Sequence, residues 1–146
     1  MVAALNKRRV EGRATSARLF FEGCPMTAQL HLLDDAVIKS RLVGDLRQWC
    51  YDQGHIVRLY RTTNWRATML LVNAIAHVAE QSWHHPDLEI SYARILVKLT
   101  THDLGGVSER DLELAHRIEG LLNWQPNMHG PLEGVPADQA LISSND

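Results

Sequence analysis

The chain has 146 residues, a length typical of one domain and sufficient to bury a single hydrophobic core. Its formal net charge of −2 excludes the strongly basic balance of a protein that binds nucleic acid through overall charge. Two cysteines do not make a disulfide framework, and no apolar run has the length of a membrane span, so we expect a protein of the reducing cytoplasm.

The two ends of the chain differ in composition from its middle. Residues 1–25 are rich in arginine, poor in acidic residues and without the apolar stretch of a signal peptide, which predicts a basic, flexible extension. A transit peptide, or a native start at Met26, stays open. Residues 26–124 have the periodic patterns of a folded domain. Residues 125–146 contain glycine, proline and polar side chains, a composition that predicts an extension with little core-forming capacity.

Hydrophobic periodicity divides the middle of the chain into three helices and four strands. The predicted elements are, in chain order, a helix over 34–48, strands over 49–51 and 56–60, a helix over 65–81, strands over 88–92 and 95–100, and a helix over 108–122. Short links within each pair of strands favour antiparallel hairpins. The order α-β-β-α-β-β-α therefore predicts an α+β fold, a four-stranded antiparallel sheet with helices packed on one face.

The second predicted helix is apolar over more than one stripe of its surface. A helix of this kind must be buried on more than one side, and one sheet covers only one side. We therefore expect its other side to pack on another subunit or on a further helix.

Residues that can carry chemistry cluster where this helix ends. The helix dipole disfavours a carboxylate such as Glu80 at this position by up to about 1 kcal/mol. A solvated glutamate, or a salt bridge with an arginine, is the structural alternative. Pro86 extends the backbone of His85, so His84 and His85 point in opposite directions and serve different purposes. Surface or turn positions also explain such a pair, and a zinc site would need further ligands at a recognisable spacing.

Four more residues have both a structural and a functional interpretation. His102 follows the fourth strand, at a loop position where functional residues are frequent. Ser108-x-x-Asp111 matches a capping box, which leaves open a second role for Asp111 in orienting His102. Core packing explains Trp49 and Tyr92, although a flat heterocycle would also need an aromatic wall.

These residues form one pattern: Glu80, three residues, His84-His85-Pro86, five residues, Tyr92, nine residues, His102, eight residues, Asp111. The pattern resembles the signature of the pterin-4a-carbinolamine dehydratase family, which is also known as the dimerisation cofactor of a homeodomain transcription factor. The similarity extends over roughly residues 33–123. Further positions that resemble family features are Trp49, Ile56-Val57-Arg58, Thr100-Thr101-His102-Asp103, Gly105-Gly106 and Asp111-Leu112.

The resemblance implies an enzyme that removes water from 4a-hydroxytetrahydropterin to give quinonoid dihydropterin, with no metal and no organic cofactor. This reaction regenerates the cofactor of the aromatic amino-acid hydroxylases. It implies that His84 and His102 form the acid–base pair and that His85 contacts the substrate, while Glu80 orients a histidine or binds the pterin ring. The other substrate-binding residues that it implies are Pro86, Trp49, Thr101 and Asp111.

The resemblance also implies partners. We expect a homodimer or homotetramer formed through the second helix and the sheet edge, a pterin as substrate, and no membrane or direct nucleic-acid partner. Trp83 departs from the family pattern, which often has Asp or Asn there, and its indole would narrow the cleft mouth or stack on the substrate.

Two alternatives to the enzyme stay open. Some proteins of this fold are binding or assembly proteins, including transcription coactivators and assembly factors of the carbon-fixing carboxylase, and those without activity tend to lack the histidines. This chain has His84, His85 and His102, which favours the enzyme. The third hypothesis is a small metal-binding protein that uses the same three histidines.

Overall fold

The computed structural model describes residues 30–127 and 129–143, so the extension predicted for 1–25 lies outside the described residues. The elements are, in chain order, α1 (Asp35–Arg41), β1 (Cys50–Asp52), β2 (His55–Arg61), α2 (Trp65–Ser82), β3 (Asp87–Ser91), β4 (Arg94–Leu99) and α3 (Glu109–Leu122). A single 3-10 turn, His102–Leu104, lies between β4 and α3. Within the described part of the chain, every helix is too short or too polar to cross a membrane.

The four strands form one antiparallel sheet in the order β1-β2-β4-β3. Ile56 of β2 lies opposite Leu99 of β4, and β3 pairs with the other side of β4. Gln53 and Gly54 connect β1 and β2, and both have positive φ, 46° and 80°, as a two-residue hairpin turn requires. The predicted four-stranded antiparallel sheet is confirmed.

The core lies between one face of the sheet and the three helices. Burial alternates along β2 and β4, as expected for a sheet with one covered face. The core cluster includes side chains from α1, α2, α3 and both strands, among them Ile38, Ile56, Ile75, Val97 and Ile118. The predicted α+β fold is therefore confirmed.

The first helix is shorter than its apolar pattern predicts. It ends at Arg41 rather than at residue 48, because Gly44 has a φ of 86°, which a right-handed helix does not allow. Val43, part of the predicted apolar stripe, is exposed, whereas Leu46 reaches the core from the turn that follows. The predicted end of this helix is wrong.

The second helix begins as predicted. Asn64 is its N-cap, and the side-chain carbonyl of Asn64 accepts a hydrogen bond from the amide of Ala67 at 3.0 Å. Buried side chains recur on one face of the helix, including Leu71 and Ile75. Trp65 and Leu70 lie on its exposed part.

The C-terminal segment contacts the end of β2. The amide of Ser143 donates to the carbonyl of Arg61 at 2.9 Å, and Thr62 forms an antiparallel bridge with Ile142. Leu141 and Ile142 pack against the core. These two apolar residues contribute to the core although the composition of 125–146 predicts little such capacity.

A buried carboxylate holds α3 to the sheet. Glu119 Oε1 accepts hydrogen bonds from Trp49 Nε1 at 2.8 Å and from the Tyr60 hydroxyl at 2.6 Å, and Oε2 accepts one from Asn123 at 2.7 Å. The Arg58 Nε lies 3.6 Å from Oε1. Burial and the Glu119 carboxylate raise the pKa of Tyr60, so its hydroxyl keeps the proton that it donates.

We expect Glu119→Ala to lower the free energy of unfolding by about 3 kcal/mol, because it leaves the buried guanidinium of Arg58 without its counter-charge and the buried donors of Trp49 and Tyr60 without their acceptor. Urea denaturation measures this. The control is Glu113→Ala on the same helix, which removes an exposed pair with Arg117 and should change stability by less than about 0.5 kcal/mol. Equal losses in the two variants would contradict a structural role for the buried carboxylate.

Candidate active site

The ring of His84 is held by a buried carboxylate. Its Nε2 lies 2.7 Å from Asp111 Oδ1, and the His84 side chain is 11% exposed while that of Asp111 is fully buried. A carboxylate can only accept, so Nε2 is the nitrogen that carries the proton in this bond. Nδ1 is then the nitrogen that can exchange a proton with a ligand.

The second oxygen of Asp111 explains why this carboxylate is fixed. Oδ2 accepts from the Thr101 hydroxyl at 2.7 Å and from the Ser108 amide at 2.8 Å. Ser108 is the N-cap of α3, and the predicted capping box is confirmed. The same carboxylate therefore caps a helix with one oxygen and orients a histidine with the other.

Asp111 orients His84 and not His102, the histidine considered from the sequence. Oδ1 of Asp111 faces His84 at the end of α2, whereas His102 lies in the 3-10 turn with a side chain that is 65% exposed. The sequence leaves open that Asp111 orients His102, and the structure places its Oδ1 against His84 instead, because the cap fixes the direction of the carboxylate.

His85 and His102 each lie near another carboxylate. His85 Nε2 is 3.1 Å from Glu80 Oε2, and both side chains are more than half exposed. His102 Nε2 is 3.8 Å from Asp87 Oδ2. Asp87 is not among the residues predicted from the sequence. Its position directly after Pro86, at the start of an edge strand, is the feature that could have indicated it.

Trp83 has an unusual backbone conformation for a large side chain. It is the C-cap of α2, with φ 49° and ψ 40°, in the left-handed region. Glycine and asparagine adopt this region easily, whereas other L-residues pay about 1–2 kcal/mol. The indole is 77% exposed and lies edge-on to the His85 ring, with 5.8 Å between the ring centroids.

A cleft of about 360 Å³ opens beside His84, between the end of α2 and the first turns of α3. We call it the α2–α3 cleft. Its lining residues are Ser82, Trp83, His84, Glu109, Arg110, Glu113 and Leu114. His85 and His102 do not line it, so of the three predicted catalytic histidines His84 alone borders this cavity.

Two aromatic residues of the pattern lie away from the histidines. Trp49 is buried and bonded to Glu119, which is eight residues, or about 12 Å along α3, from Asp111. Tyr92 lies in the turn between β3 and β4, at the opposite end of this hairpin from His102, and it is exposed. Core packing is therefore wrong for Tyr92 and right for Trp49, and neither side chain lies beside the three histidines.

Two further predicted residues have clear positions. Thr101 is buried and contacts Asp111, so it reaches the site through that carboxylate. Pro86 is half-buried and separates His85 from Asp87 at the start of β3. A role of either residue in binding substrate stays a prediction.

The family model described as Pterin 4 alpha carbinolamine dehydratase matches residues 31–121. The chain belongs to this family. The matched region includes His84, His85 and His102 and the three carboxylates beside them, and the family predicted from the sequence is confirmed.

Relatives named for this dehydratase match rather more than half of this chain and most of their own length. A protein of Aquifex aeolicus named "Putative pterin-4-alpha-carbinolamine dehydratase" is 46% identical over 57% of this chain and 84% of its own length. A protein of the same name from Thermomicrobium roseum is 43% identical over 61% of this chain and 95% of its own. A crystal structure of a transcriptional coactivator/pterin dehydratase from Brucella melitensis matches with a TM-score of 0.58 and 25% identity, over 62% of this chain and 98% of its own.

We expect Trp83→Asn to raise the free energy of unfolding by about 1 kcal/mol, because asparagine tolerates the left-handed conformation. Thermal and urea unfolding measure the change. Gln53→Asn is the matched comparison, since Gln53 also has positive φ, in a hairpin turn away from α2, and should show a gain of the same sign. A Trp83→Asn variant less stable than the parent would show that the indole contributes more than its backbone costs.

Proposed function

We propose that this protein dehydrates a 4a-hydroxytetrahydropterin to the quinonoid dihydropterin by histidine acid–base catalysis. The observation that supports this most strongly is the His84 ring fixed at 2.7 Å by a fully buried Asp111, within the region matched by the dehydratase family. A buried carboxylate that orients a histidine at the border of a cleft is a typical catalytic arrangement.

The reaction requires one proton donor and one proton acceptor. The C4a–oxygen bond breaks and the hydroxyl leaves as water, so this oxygen must receive a proton. N5 loses its proton, and its electron pair forms the double bond to C4a. The protons balance and no electron is gained or lost, which means that two side chains are sufficient and no cofactor is needed.

We assign the base to His84 and the acid to His102. His84 would accept the N5 proton at Nδ1, because Nε2 already donates to Asp111, and Asp111 would stabilise the imidazolium that forms. His102 is largely exposed, so it can protonate the leaving hydroxyl and regain its proton from water. Each group would contribute about 10²–10⁴-fold to the rate.

His85 and Glu80 would bind the pterin ring. They are 3.1 Å apart and exposed, and together they offer a donor and an acceptor to the heterocycle. As in the family, the product would return to the pool of reduced pterin cofactor in the cytoplasm.

A non-catalytic coactivator is the second candidate function, because the Brucella melitensis relative is described both as a transcriptional coactivator and as a pterin dehydratase.

Oligomerisation is part of the same proposal. Trp65 and Leu70 on α2 are exposed, as is Ile90 on the edge strand β3. These are the two surfaces through which we propose a homodimer or homotetramer. Sedimentation of the parent beside Leu70→Glu would test the helix surface.

We expect His102→Ala and His84→Ala each to lower kcat by at least about 100-fold, because each removes one proton-transfer group. His102→Ala should leave thermal stability almost unchanged, whereas His84→Ala should also cost about 1–3 kcal/mol, because it leaves Asp111 Oδ1 buried without its hydrogen-bond partner. Stopped-flow dehydration of 4a-hydroxytetrahydropterin measures this. His116→Ala is the control, since His116 is exposed on the far part of α3 and should leave kcat unchanged. An unchanged kcat in either site variant would exclude that histidine, and inactivity of the parent would favour the coactivator.

Asp111→Asn should lower kcat by about 10–100-fold, because asparagine cannot stabilise the imidazolium of His84 and disturbs its tautomer. It should also cost about 1–2 kcal/mol of stability through the lost cap. Ser108→Ala removes the capping hydroxyl without touching His84, so it should lose similar stability and keep kcat within about twofold. Equal kcat losses in the two variants would show that the carboxylate acts on stability alone.

A further inference from the structure

We infer that the α2–α3 cleft is a subsite for a negatively charged substituent of the pterin, with Trp83 as its aromatic wall and Arg110 as the cation that selects the charge. This inference rests on the proposed function, since it takes the ligand at the histidines to be a pterin. It goes further in naming the substrate class: a pterin whose side chain ends in a carboxylate or a phosphate.

Trp83 connects the histidines to the cleft. Its indole lies edge-on to the ring of His85 and also lines the cleft together with His84. A flat ligand at the histidines would therefore extend past this indole into the cleft. A large, solvent-exposed aromatic residue in a left-handed conformation is unfavourable in the fold alone, and such strained residues concentrate at ligand sites.

The charges of the cleft leave one cation uncompensated. Both Glu109 oxygens accept from Arg41, at 2.9 and 3.1 Å, and Glu113 accepts from Arg117 at 2.7 Å. Arg110 has no ion-pair partner among residues 30–127 and 129–143. Because each acidic residue of the rim already has its own arginine, the charge that the cleft offers to a ligand is the guanidinium of Arg110.

The cleft also has the size for such a substituent. Its volume of about 360 Å³ corresponds to roughly a dozen water molecules, at about 30 Å³ each. That is room for a short side chain and a terminal anionic group. Arginine binds carboxylate and phosphate alike through its planar set of donors. The cleft therefore indicates a negatively charged group on the ligand, and the experiment below distinguishes a carboxylate from a phosphate.

The test is fluorescence titration of the full chain with fully oxidised pterins, which bind without being dehydrated. Pterin-6-carboxylate is compared with 6-methylpterin, and a 6-substituted pterin phosphate ester is the third arm. We expect the anionic pterins to bind about fivefold more tightly at low salt, as an exposed ion pair allows, and whichever anion is preferred identifies the acid.

Arg110→Gln should reduce this preference to about one. Arg47→Gln is the control, because it removes the same charge from an exposed site that does not line the cleft, and the fivefold preference should persist. Arg117→Gln should lower the preference in part, since it releases the charge of Glu113. Trp83→Asn, which we expect to be more stable than the parent, should weaken the binding of both the neutral and the anionic pterins by about threefold through loss of the aromatic contact.

Equal affinity of the parent for neutral and anionic pterins, no binding of either, or a preference that survives Arg110→Gln would each overturn the subsite. These outcomes are separate from the proposed reaction. A chain that prefers pterin-6-carboxylate without dehydrating 4a-hydroxytetrahydropterin would retain the subsite and lose the enzyme. A chain that dehydrates neutral and anionic substrates with equal kcat/KM would retain the enzyme and lose the subsite.

Discussion

The need to satisfy the buried carboxylate of Asp111 determines how His84, Thr101 and the start of α3 come together. A buried charge without partners would cost several kcal/mol, so its hydrogen bonds must form together. They come from His84 at the end of α2, from Thr101 after β4 and from Ser108 at the start of α3. Three segments distant in sequence meet at one group for this reason. The orientation of His84 is thus a consequence of how α3 is capped, and the ring would keep its position in the absence of any ligand.

The other two histidines are held much less firmly, and this difference suits the chemistry that we propose. His85 and His102 face Glu80 and Asp87 on the surface, where water screens the charges and an exposed ion pair contributes little. A proton acceptor must be aligned with a particular atom of the substrate, which favours the fixed ring of His84. A proton donor that must be recharged in each turnover gains from contact with solvent. The contrast between the largely buried His84 and the two exposed histidines fits the opposite requirements of the proposed base and acid.

The sequence predicts what depends on local pattern and misses what depends on contacts between distant segments. The second helix follows from spacing and side-chain type within a few residues, and so does the capping box at Ser108. The early end of α1 also has a local cause, the positive φ of Gly44. The apolar pattern hides it, because Leu46 continues the helical spacing although it enters the core from a turn. The partner of Asp111 lies 27 residues away in the chain, and no local pattern distinguishes His84 from His102 as that partner.

Two carboxylates on one helix show why a family pattern and an active site are different things. Asp111 faces His84, whereas Glu119, two turns further along α3, is enclosed in the core by Trp49 and Tyr60. Trp49 therefore marks the family through the way the fold is held together. Because Asp111 and Glu119 both fix α3, residues at the surface beside the helix can change without disturbing the fold. Trp83 is such a residue: it occupies the strained C-cap of α2 and forms part of the border of the cleft. In the function that we propose, variation at this position would change which pterin is bound while the contact between Asp111 and His84 stays the same.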